Sequence, residues 1–281
     1  MPSTYTHLIL DIQDQIGVIK LNRPKSLNAW NATLLKDMVT AFRELDEHPN
    51  TVFTVLTGEG RFFSAGADIR GGGLETAPPG STAAETKLFY MRKFSTEMEL
   101  FRSIIDHKKV FVLALNGAAV GGGAAWFQGI ADIVVAAAGA YLQVPFSSLG
   151  LVPEFGGVNT FAQSIGVRRA NDFFMFGRKC TVEEMESWGL INRLFPAQDF
   201  HGHVQRFLEE QLAVNDGKSM METKRLQNAP LRAGRIVTMF DAANALSERF
   251  VDGAPFERFR QKSAQLAKES EKRDVKVKSS L

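Results

Sequence analysis

The sequence contains little cysteine, little net charge and no long apolar run. A single cysteine, Cys180, among 281 residues excludes a disulfide within the chain and supplies no cysteine cluster for a metal. Lysine plus arginine total 33 and aspartate plus glutamate 31, and the resulting net charge of +2 gives no electrostatic reason to expect nucleic-acid binding. No stretch reaches the roughly 20 apolar residues that a membrane-spanning helix needs. We therefore expect a soluble globular protein with one buried, inert thiol.

The two ends of the sequence predict where the protein is located. Residues 1–15 lack a basic segment followed by an apolar one, so we expect no secretory signal. Ser279, Ser280 and Leu281 are similar to the Ser-Lys-Leu peroxisomal address, with serine at the middle position. This tail predicts a peroxisomal protein that an import receptor recognises. The alternative is a frayed tail that ends in leucine by chance, in which case we expect a cytoplasmic protein.

Hydrophobic patterning predicts an α/β fold. The apolar runs 8–10 and 18–21 predict a hairpin, and Asn28 predicts the N-cap of a helix that runs to about Glu47. The helical periodicity of residues 89–105 predicts one long amphipathic helix. Apolar runs at 52–56, 110–115 and 133–136 alternate with helical segments, which is typical of a largely parallel sheet. From about Ala170 the chain is expected to be helical, with a capping box that begins at Thr181.

Two glycine-rich turns and one acid indicate the chemistry. The turns are residues 64–68 and 116–123, and each follows a strand-like run and precedes a helix. Small residues at such turns let a ligand approach bare backbone N–H groups. The acid is Glu154, which lies in an apolar stretch. Two converging N–H groups and one carboxyl suggest an oxyanion hole and a single base acting on an enolate.

Each of these features also has an ordinary structural explanation. The triple glycine 121–123 would equally allow a helix to pack closely on a sheet. Glu154 would equally be an acid whose negative charge is stabilised near the N-terminus of the following helix. Pro153 and the glycines around Glu154 favour a loop, and therefore the functional interpretation.

Four segments together resemble the crotonase (enoyl-CoA hydratase/isomerase) superfamily. They are residues 22–29, 64–69, 116–123 and 189–196, and they occur in the family's order along nearly the whole chain. The resemblance implies a spiral of ββα units followed by a C-terminal helical region that trimerises. We accordingly expect a core over residues 1–199 and a helical region with a charged tail over 200–281. A homo-oligomer, either a trimer or a dimer of trimers, is also implied.

The resemblance implies an acyl-CoA substrate held by backbone and side-chain groups. The coenzyme A belongs to the substrate, so no separate cofactor and no metal are expected. The oxyanion hole would consist of the N–H groups of Ala67 and Gly122. The implied substrate-binding residues are Lys25, Leu27, Ala65, Gly66, Ala67, Asp68, Ile69, Gly122, Phe146 and Leu149. Lys25, Arg70 and either Arg260 or Lys262 would meet the CoA phosphates, or be ordinary surface charges, and Asp68 would otherwise cap the helix that follows it.

The carboxyls decide which family reaction is expected. Hydratases of the superfamily use two glutamates, and the corresponding positions here are Ala125 and Phe146, neither of which can transfer a proton. Glu154 matches the single catalytic glutamate of Δ3,Δ2-enoyl-CoA isomerases of the peroxisomal type, most closely the fungal ones. The expected reaction is a 1,3-proton shift that moves a 3-enoyl-CoA double bond to the trans-2 position. Phe155 is a departure, because those enzymes often have glycine there.

Other activities of the superfamily provide the alternatives. A dienoyl-CoA isomerase needs an additional acid near the triple glycine, and residues 124–127 supply none. Hydration through Glu154 alone would be a weak side activity. RNA-binding members present a lysine-rich first helix, whereas residues 30–47 contain only Lys36 and Arg43 among several acids. A non-catalytic acyl-CoA-binding relative would be expected to have lost Glu154.

Overall fold

The computed structural model describes residues 4–68, 75–262 and 264, and these form a mixed α/β structure. In chain order the strands are β1 (Leu8–Gln13), β2 (Ile16–Leu21), β3 (Phe53–Gly58), β4 (Phe62–Ser64), β5 (Val110–Leu115), β6 (Ala118–Val120), β7 (Ile133–Ala137), β8 (Tyr141–Gln143), β9 (Cys180–Thr181) and β10 (Arg193–Phe195). The helices are α1 (Ala32–Glu47), α2 (Ala83–Lys93), α3 (Ser95–Ile105), α4 (Gly122–Ala125), α5 (Gly157–Ile165), α6 (Val167–Phe176), α7 (Val182–Ser187), α8 (Phe200–Val214), α9 (Gly217–Asn228) and α10 (Arg232–Val251).

The strands form two sheets, and successive ββα units contribute one strand to each sheet. The six-stranded sheet has the order β1-β2-β3-β5-β7-β10, and the four-stranded sheet has the order β4-β6-β8-β9. The pairs β1–β2 and β8–β9 are antiparallel, and the other neighbours are parallel. In β3–β4, β5–β6 and β7–β8 the first strand joins the large sheet and the second joins the small one. The expected ββα spiral and its parallel sheet are therefore confirmed.

The central strands of the large sheet lie in the interior of the protein, with helices on both faces. Every residue of β3 and β5 is buried, as expected for central strands of a parallel sheet covered on both faces. Helix α1 covers one face with a stripe of buried residues at helical spacing: Leu34, Leu35, Met38, Ala41, Phe42 and Leu45. Helix α8 covers the other face with Phe200, Val204 and Leu208.

The expectation of helix alone after Ala170 is wrong in two places. The short strands β9 and β10 extend the two sheets, with β9 beside β8 and β10 beside β7. Both are too short to show an alternating pattern in the sequence. Thr181 does cap α7, since its Oγ1 accepts from the N–H of Glu184. The Glu184 carboxylate, however, accepts from the Arg178 guanidinium instead of completing a capping box.

The single long helix expected over residues 89–105 is two helices. Helix α2 begins earlier, at a capping box formed by Thr82 and Glu85, and α3 follows after Phe94. Phe94 has ψ 4° instead of a helical value, and its N–H bonds to the carbonyls of both Tyr90 and Arg92. Its ring is buried against other aromatic rings. The break therefore coincides with a buried anchor between the two helices.

The N-cap of α1 is Asn31, so the expectation for Asn28 is wrong. The Asn31 side chain accepts from the N–H of Leu34 at 2.9 Å. Asn28 instead adopts the left-handed conformation, with φ 53°. Its buried amide accepts from Arg23 N at 2.9 Å and donates to the carbonyls of Glu59 and Phe62, each at 2.9 Å. Asn28 thus ties the loop before α1 to the β3–β4 connection.

Several expectations lie outside what the structure tests. Ile69, Arg70 and the tail 279–281 are not among the described residues. The boundary at residue 199, the trimer and the peroxisomal address stay predictions. In the part of the chain that the structure describes, no helix combines the length and apolar character needed to cross a membrane.

Replacing Asn28 by alanine should destabilise the protein more than replacing Asn31. Asn31→Ala removes one N-cap acceptor, which lowers the free energy of unfolding by about 1 kcal/mol. Asn28→Ala removes three hydrogen bonds, leaves Phe62 O with only the longer bond from Asn116 Nδ2 at 3.4 Å, and keeps a left-handed residue, so we expect a loss of about 2–4 kcal/mol. Urea unfolding followed by circular dichroism, at one protein concentration, measures both. An equal or smaller loss for Asn28→Ala would contradict this account of the loop.

Candidate active site

The two glycine-rich turns lie against each other. Within the second predicted turn, residues 118–120 form strand β6, so only residues 121–123 follow that strand as a turn into α4. Strands β4 and β6 are parallel neighbours, so the turns that follow them meet at the same edge of the small sheet. Gly66 has φ 82°, and a Cβ placed on it would lie 2.8 Å from Val120 O and 3.2 Å from Gly122 N. A side chain at Gly66 would therefore force the two turns apart, and glycine also permits this positive φ without strain.

The backbone hydrogen bonds at the two turns leave the N–H groups of Ala67 and Gly122 unused. On the first turn, Ala65 N donates to Leu27 O and Asp68 N donates to Trp30 O. On the second, Gly121 N donates to Gln143 O. Within the described part of the chain, the N–H groups of Ala67 and Gly122 have no such partner. Gly122 is the first residue of α4, where N–H groups lack an intrahelical acceptor.

Glu154 lies on a loop with an unusual backbone. The loop joins a short 3₁₀ turn (Ser147–Leu149) to α5. Phe155 and Gly156 have φ 48° and 84°, so two successive residues are left-handed. Glycine adopts a left-handed φ without strain, which fits the glycine that the family resemblance implies at the position of Phe155. The phenylalanine ring is buried and contacts the rings of Phe94, Phe101 and Trp126, with centroids 6.1, 5.3 and 5.3 Å away.

The Glu154 carboxylate accepts a hydrogen bond from an indole. Trp126 Nε1 donates to Glu154 Oε2 at 2.7 Å. The same indole N–H lies 2.9 Å from the point where a side chain on Gly122 would begin. One indole N–H therefore separates the carboxylate from the second glycine-rich turn. The carboxylate bonds to Trp126 while α5 begins after Gly156, which favours the functional interpretation of Glu154 over a helix-terminal role.

Burial changes the acidity of Glu154. The residue as a whole remains partly accessible, but its carboxyl lies deep among protein atoms. Loss of solvation raises its pKa from 4.5 to about 7, and the charge of Glu97 adds to the rise. The hydrogen bond from Trp126 acts in the opposite direction because it stabilises the ionised form. A carboxyl with a pKa near 7 is suited both to accept and to return a proton at neutral pH.

Three further residues lie at this site that the sequence did not predict. Trp126 holds the carboxylate, and its ring stacks on Trp30 with centroids 5.4 Å apart and planes 7° apart. The Trp30 Nε1 is buried with no hydrogen-bond partner in the described structure. Glu97 is the third. The sequence feature that could have indicated Glu97 is its spacing, three residues after Phe94 and four before Phe101, because it places an acid among apolar residues.

Of the predicted substrate-binding residues, Leu27 and Phe146 lie beside the turns. Leu27 O accepts from Ala65 N, and the Phe146 ring is 3.8 Å from a Cβ placed on Gly121. Leu149 ends the 3₁₀ turn that precedes the Glu154 loop. The Asp68 carboxylate accepts from Arg23 Nη2 at 2.9 Å, with both side chains largely buried.

The predicted phosphate-binding cations are less closely tied to the site. Lys25 is exposed on a 3₁₀ turn (Pro24–Ser26). Arg260 and Lys262 are exposed on the helical segment 254–262. Arg260 Nη2 lies 3.9 Å from Glu257 Oε1. Cys180 is buried, as expected, and burial raises the pKa of its thiol to about 11, which disfavours the reactive thiolate.

Comparison with known proteins agrees with this geometry. The family model described as enoyl-CoA hydratase/isomerase matches residues 11–276. A probable enoyl-CoA hydratase of Mycobacterium bovis is 32% identical over 70% of this chain and 71% of its own length. A Delta(3,5)-Delta(2,4)-dienoyl-CoA isomerase of Pyricularia oryzae is 30% identical over 66% and 68%. Human enoyl-CoA delta isomerase 2 is 31% identical over 70% of this chain and 48% of its own length.

The fold has close structural counterparts. The crystal structure of an enoyl-CoA hydratase/isomerase from Pseudoalteromonas atlantica superposes with a TM-score of 0.80 over 92% of this chain and 98% of that one, at 22% identity. At 22% identity this structural match shows the fold alone. The family model and the sequence relatives show the family membership. The chain belongs to the enoyl-CoA hydratase/isomerase (crotonase) family.

Proposed function

We propose that this protein is a Δ3,Δ2-enoyl-CoA isomerase with Glu154 as its single base. The observation that carries the proposal is the buried Glu154 carboxyl, held by Trp126 beside a glycine-rich turn. Its raised pKa fits a group that takes up and returns one proton. Human enoyl-CoA delta isomerase 2 is among the relatives, which supports the substrate class.

The proposed reaction moves one proton between two carbons. The thioester oxygen accepts hydrogen bonds from the N–H groups of Ala67 and Gly122. The Glu154 carboxylate removes a proton from C2 of a 3-enoyl-CoA, and the electron pair of that C–H bond forms a dienolate stabilised at the thioester oxygen. Protonated Glu154 then gives the proton to C4. The double bond moves from C3–C4 to C2–C3, and no water is consumed.

The apolar surroundings favour proton transfer over hydration. Ala125 and Phe146 are both buried, at the two positions where the family resemblance implies the hydratase glutamates. Neither side chain can activate a water molecule, and Phe146 occupies space that water would need. Phe155 and Trp126 add further apolar surface beside the carboxyl. A protonated Glu154 in these surroundings would retain its proton long enough to return it to the substrate.

Replacing Glu154 by glutamine should abolish isomerisation. Glu154→Gln keeps the shape and an acceptor for Trp126 but removes the base, so turnover of trans-3-hexenoyl-CoA should fall by a factor of about 10² to 10⁴. Conjugated-enoyl absorbance measures the rate, and Glu186→Gln, at an exposed glutamate, is the matched control. Activity that survives in Glu154→Gln would move the base elsewhere. Faster hydration of trans-2-enoyl-CoA, or faster isomerisation of a 3,5-dienoyl-CoA, would replace the proposed reaction with that one.

Isomerase activity should rise with pH through a midpoint near 7. Glu154 must be ionised to accept the C2 proton, and its pKa in the folded protein is about 7. Below the midpoint the ionised fraction, and with it kcat/KM, should fall by about tenfold per pH unit. A profile of kcat/KM from pH 5 to 9 tests this. A midpoint near the 4.5 of an ordinary glutamate would show that the carboxyl is solvated in the working enzyme.

The oxyanion hole is tested by a substitution at Gly66. Gly66→Ala should lower kcat/KM by about a hundredfold or more, because the added Cβ displaces the donor at Gly122. Gly80→Ala is the matched control, since Gly80 has φ 83° but nothing within 4 Å of its Cβ position. Both variants place alanine at a positive φ and so carry similar backbone strain, but only Gly66→Ala crowds the two turns. Equal activity in the two variants would mean that the close approach of the turns is not needed for turnover.

A further inference from the structure

Glu97 carries a buried carboxylate oxygen with no partner. Its Oε2 is inaccessible to solvent and makes no hydrogen bond among the described residues. Such an atom is costly to bury, because a carboxylate in an apolar environment loses several favourable interactions with water. Glu97 lies in the first turn of α3, and the isomerase mechanism proposed above does not use it.

The helix carries Glu97 to the aromatic wall beside Glu154. Phe101 follows Glu97 by four residues on the same face of α3, and Phe94, the buried residue at the break before α3, precedes it by three. Both rings contact Phe155, the residue next to Glu154. Phe101 also contacts Trp126, the hydrogen-bond donor to Glu154, with centroids 5.6 Å apart. The Glu97 carboxyl, whose Oε2 has no partner, and the Glu154 carboxyl are therefore carried by segments that pack on the same aromatic cluster.

The two carboxyls also interact through their charge. The negative charge of Glu97 raises the pKa of Glu154, in addition to the larger effect of burial. Burial raises the pKa of Glu97 as well, and a hydrogen bond from its own backbone N–H and the charge of Lys93 lower it. Lys93 is itself paired with Glu75 at 2.8 Å, so its charge is partly compensated.

Two ion pairs on the helices around α3 do not involve Glu97 or Glu154. On α1, which packs against α3, Arg43 pairs with Glu99 of α3. On α10, Glu248 pairs with Lys87 of α2. Among the described residues, none of these four groups contributes to the pKa of either Glu97 or Glu154. The Glu97–Glu154 interaction is therefore separable from these two ion pairs, and Lys93 is the surface cation that acts on Glu97.

We propose that Glu97 is a positioning residue of the active site, whose carboxylate acts through space on Glu154 and favours transfer of the substrate proton to it. Proton abstraction neutralises Glu154 and moves the negative charge to the thioester oxygen at Ala67 and Gly122. That movement relieves the repulsion between the two carboxylates. The inference rests on the proposed isomerase function, and it adds a second ionisable group to a site otherwise described with one.

The test compares Glu97→Gln with Glu99→Gln. Glu97→Gln keeps the side-chain volume but removes the charge, so the acidic limb of the kcat/KM profile should move to lower pH by about half a unit or more. At the plateau, kcat should fall severalfold with little change in KM, because the weaker base accepts the C2 proton less readily. Glu99→Gln, on the same helix but in a surface ion pair, should reproduce the wild-type profile. Glu97→Asp retains a carboxylate and should restore a midpoint nearer that of wild type.

A direct titration separates this inference from the proposed function. Infrared difference spectroscopy follows the carboxyl band that is present in the wild type and missing in Glu154→Gln. Its midpoint should be lower in Glu97→Gln whether or not 3-enoyl-CoA is the substrate. An unchanged Glu154 midpoint in Glu97→Gln would overturn the inference even if the enzyme is an isomerase. Reduced activity in Glu97→Gln with an unshifted pH profile would also overturn it, because it would show a structural role only.

Discussion

The close approach of two backbone turns is the constraint on which the site depends. Gly66 lies so near Val120 and Gly122 that no side chain fits between them. The approach follows from the parallel pairing of β4 and β6, which brings the carboxyl ends of both strands to one edge. Those strands are short, and each is the second strand of a ββα unit whose first strand is fully buried in the large sheet. The large sheet therefore fixes the turns, and the turns fix where an anion would be stabilised.

Placing a carboxyl beside these turns carries a thermodynamic cost. Glu154 has a higher pKa in the folded protein than in the unfolded chain, so the folded state binds its proton more tightly. Stability is therefore lost as the pH rises from 4.5 through about 7, and the lost amount stays constant above that range. Allowing for the partial accessibility of the residue, the cost is on the order of 2 kcal/mol. The same desolvation makes the carboxylate a stronger base, so the loss of stability and the chemistry have one cause.

The sequence predicted local features better than contacts between distant segments. The hairpin, the central strands and the two turns follow from apolar runs and glycine positions that are visible in the chain. Asn28 and Asn31 are both good N-cap residues, and the left-handed backbone that decides between them appears only in the structure. The strands β9 and β10 exist because neighbouring strands offer them partners. Trp126 donates to Glu154 across 28 positions of sequence, a contact that no local pattern encodes.

Phe155 shows how packing offsets backbone strain at this site. A left-handed φ at a bulky residue costs about 1–3 kcal/mol, and glycine would avoid it. Burying a phenylalanine ring contributes about 1.5–3 kcal/mol, and contacts with other rings add about 0.5–1.5 kcal/mol for a well-oriented pair. The ring of Phe155 has three such neighbours, Phe94, Phe101 and Trp126, so packing compensates for the strain. Glycine would relax the backbone but leave a cavity beside Glu154, and water in that cavity would solvate the carboxylate and lower its pKa. The residue that departs from the family pattern therefore helps to keep the base in an apolar environment.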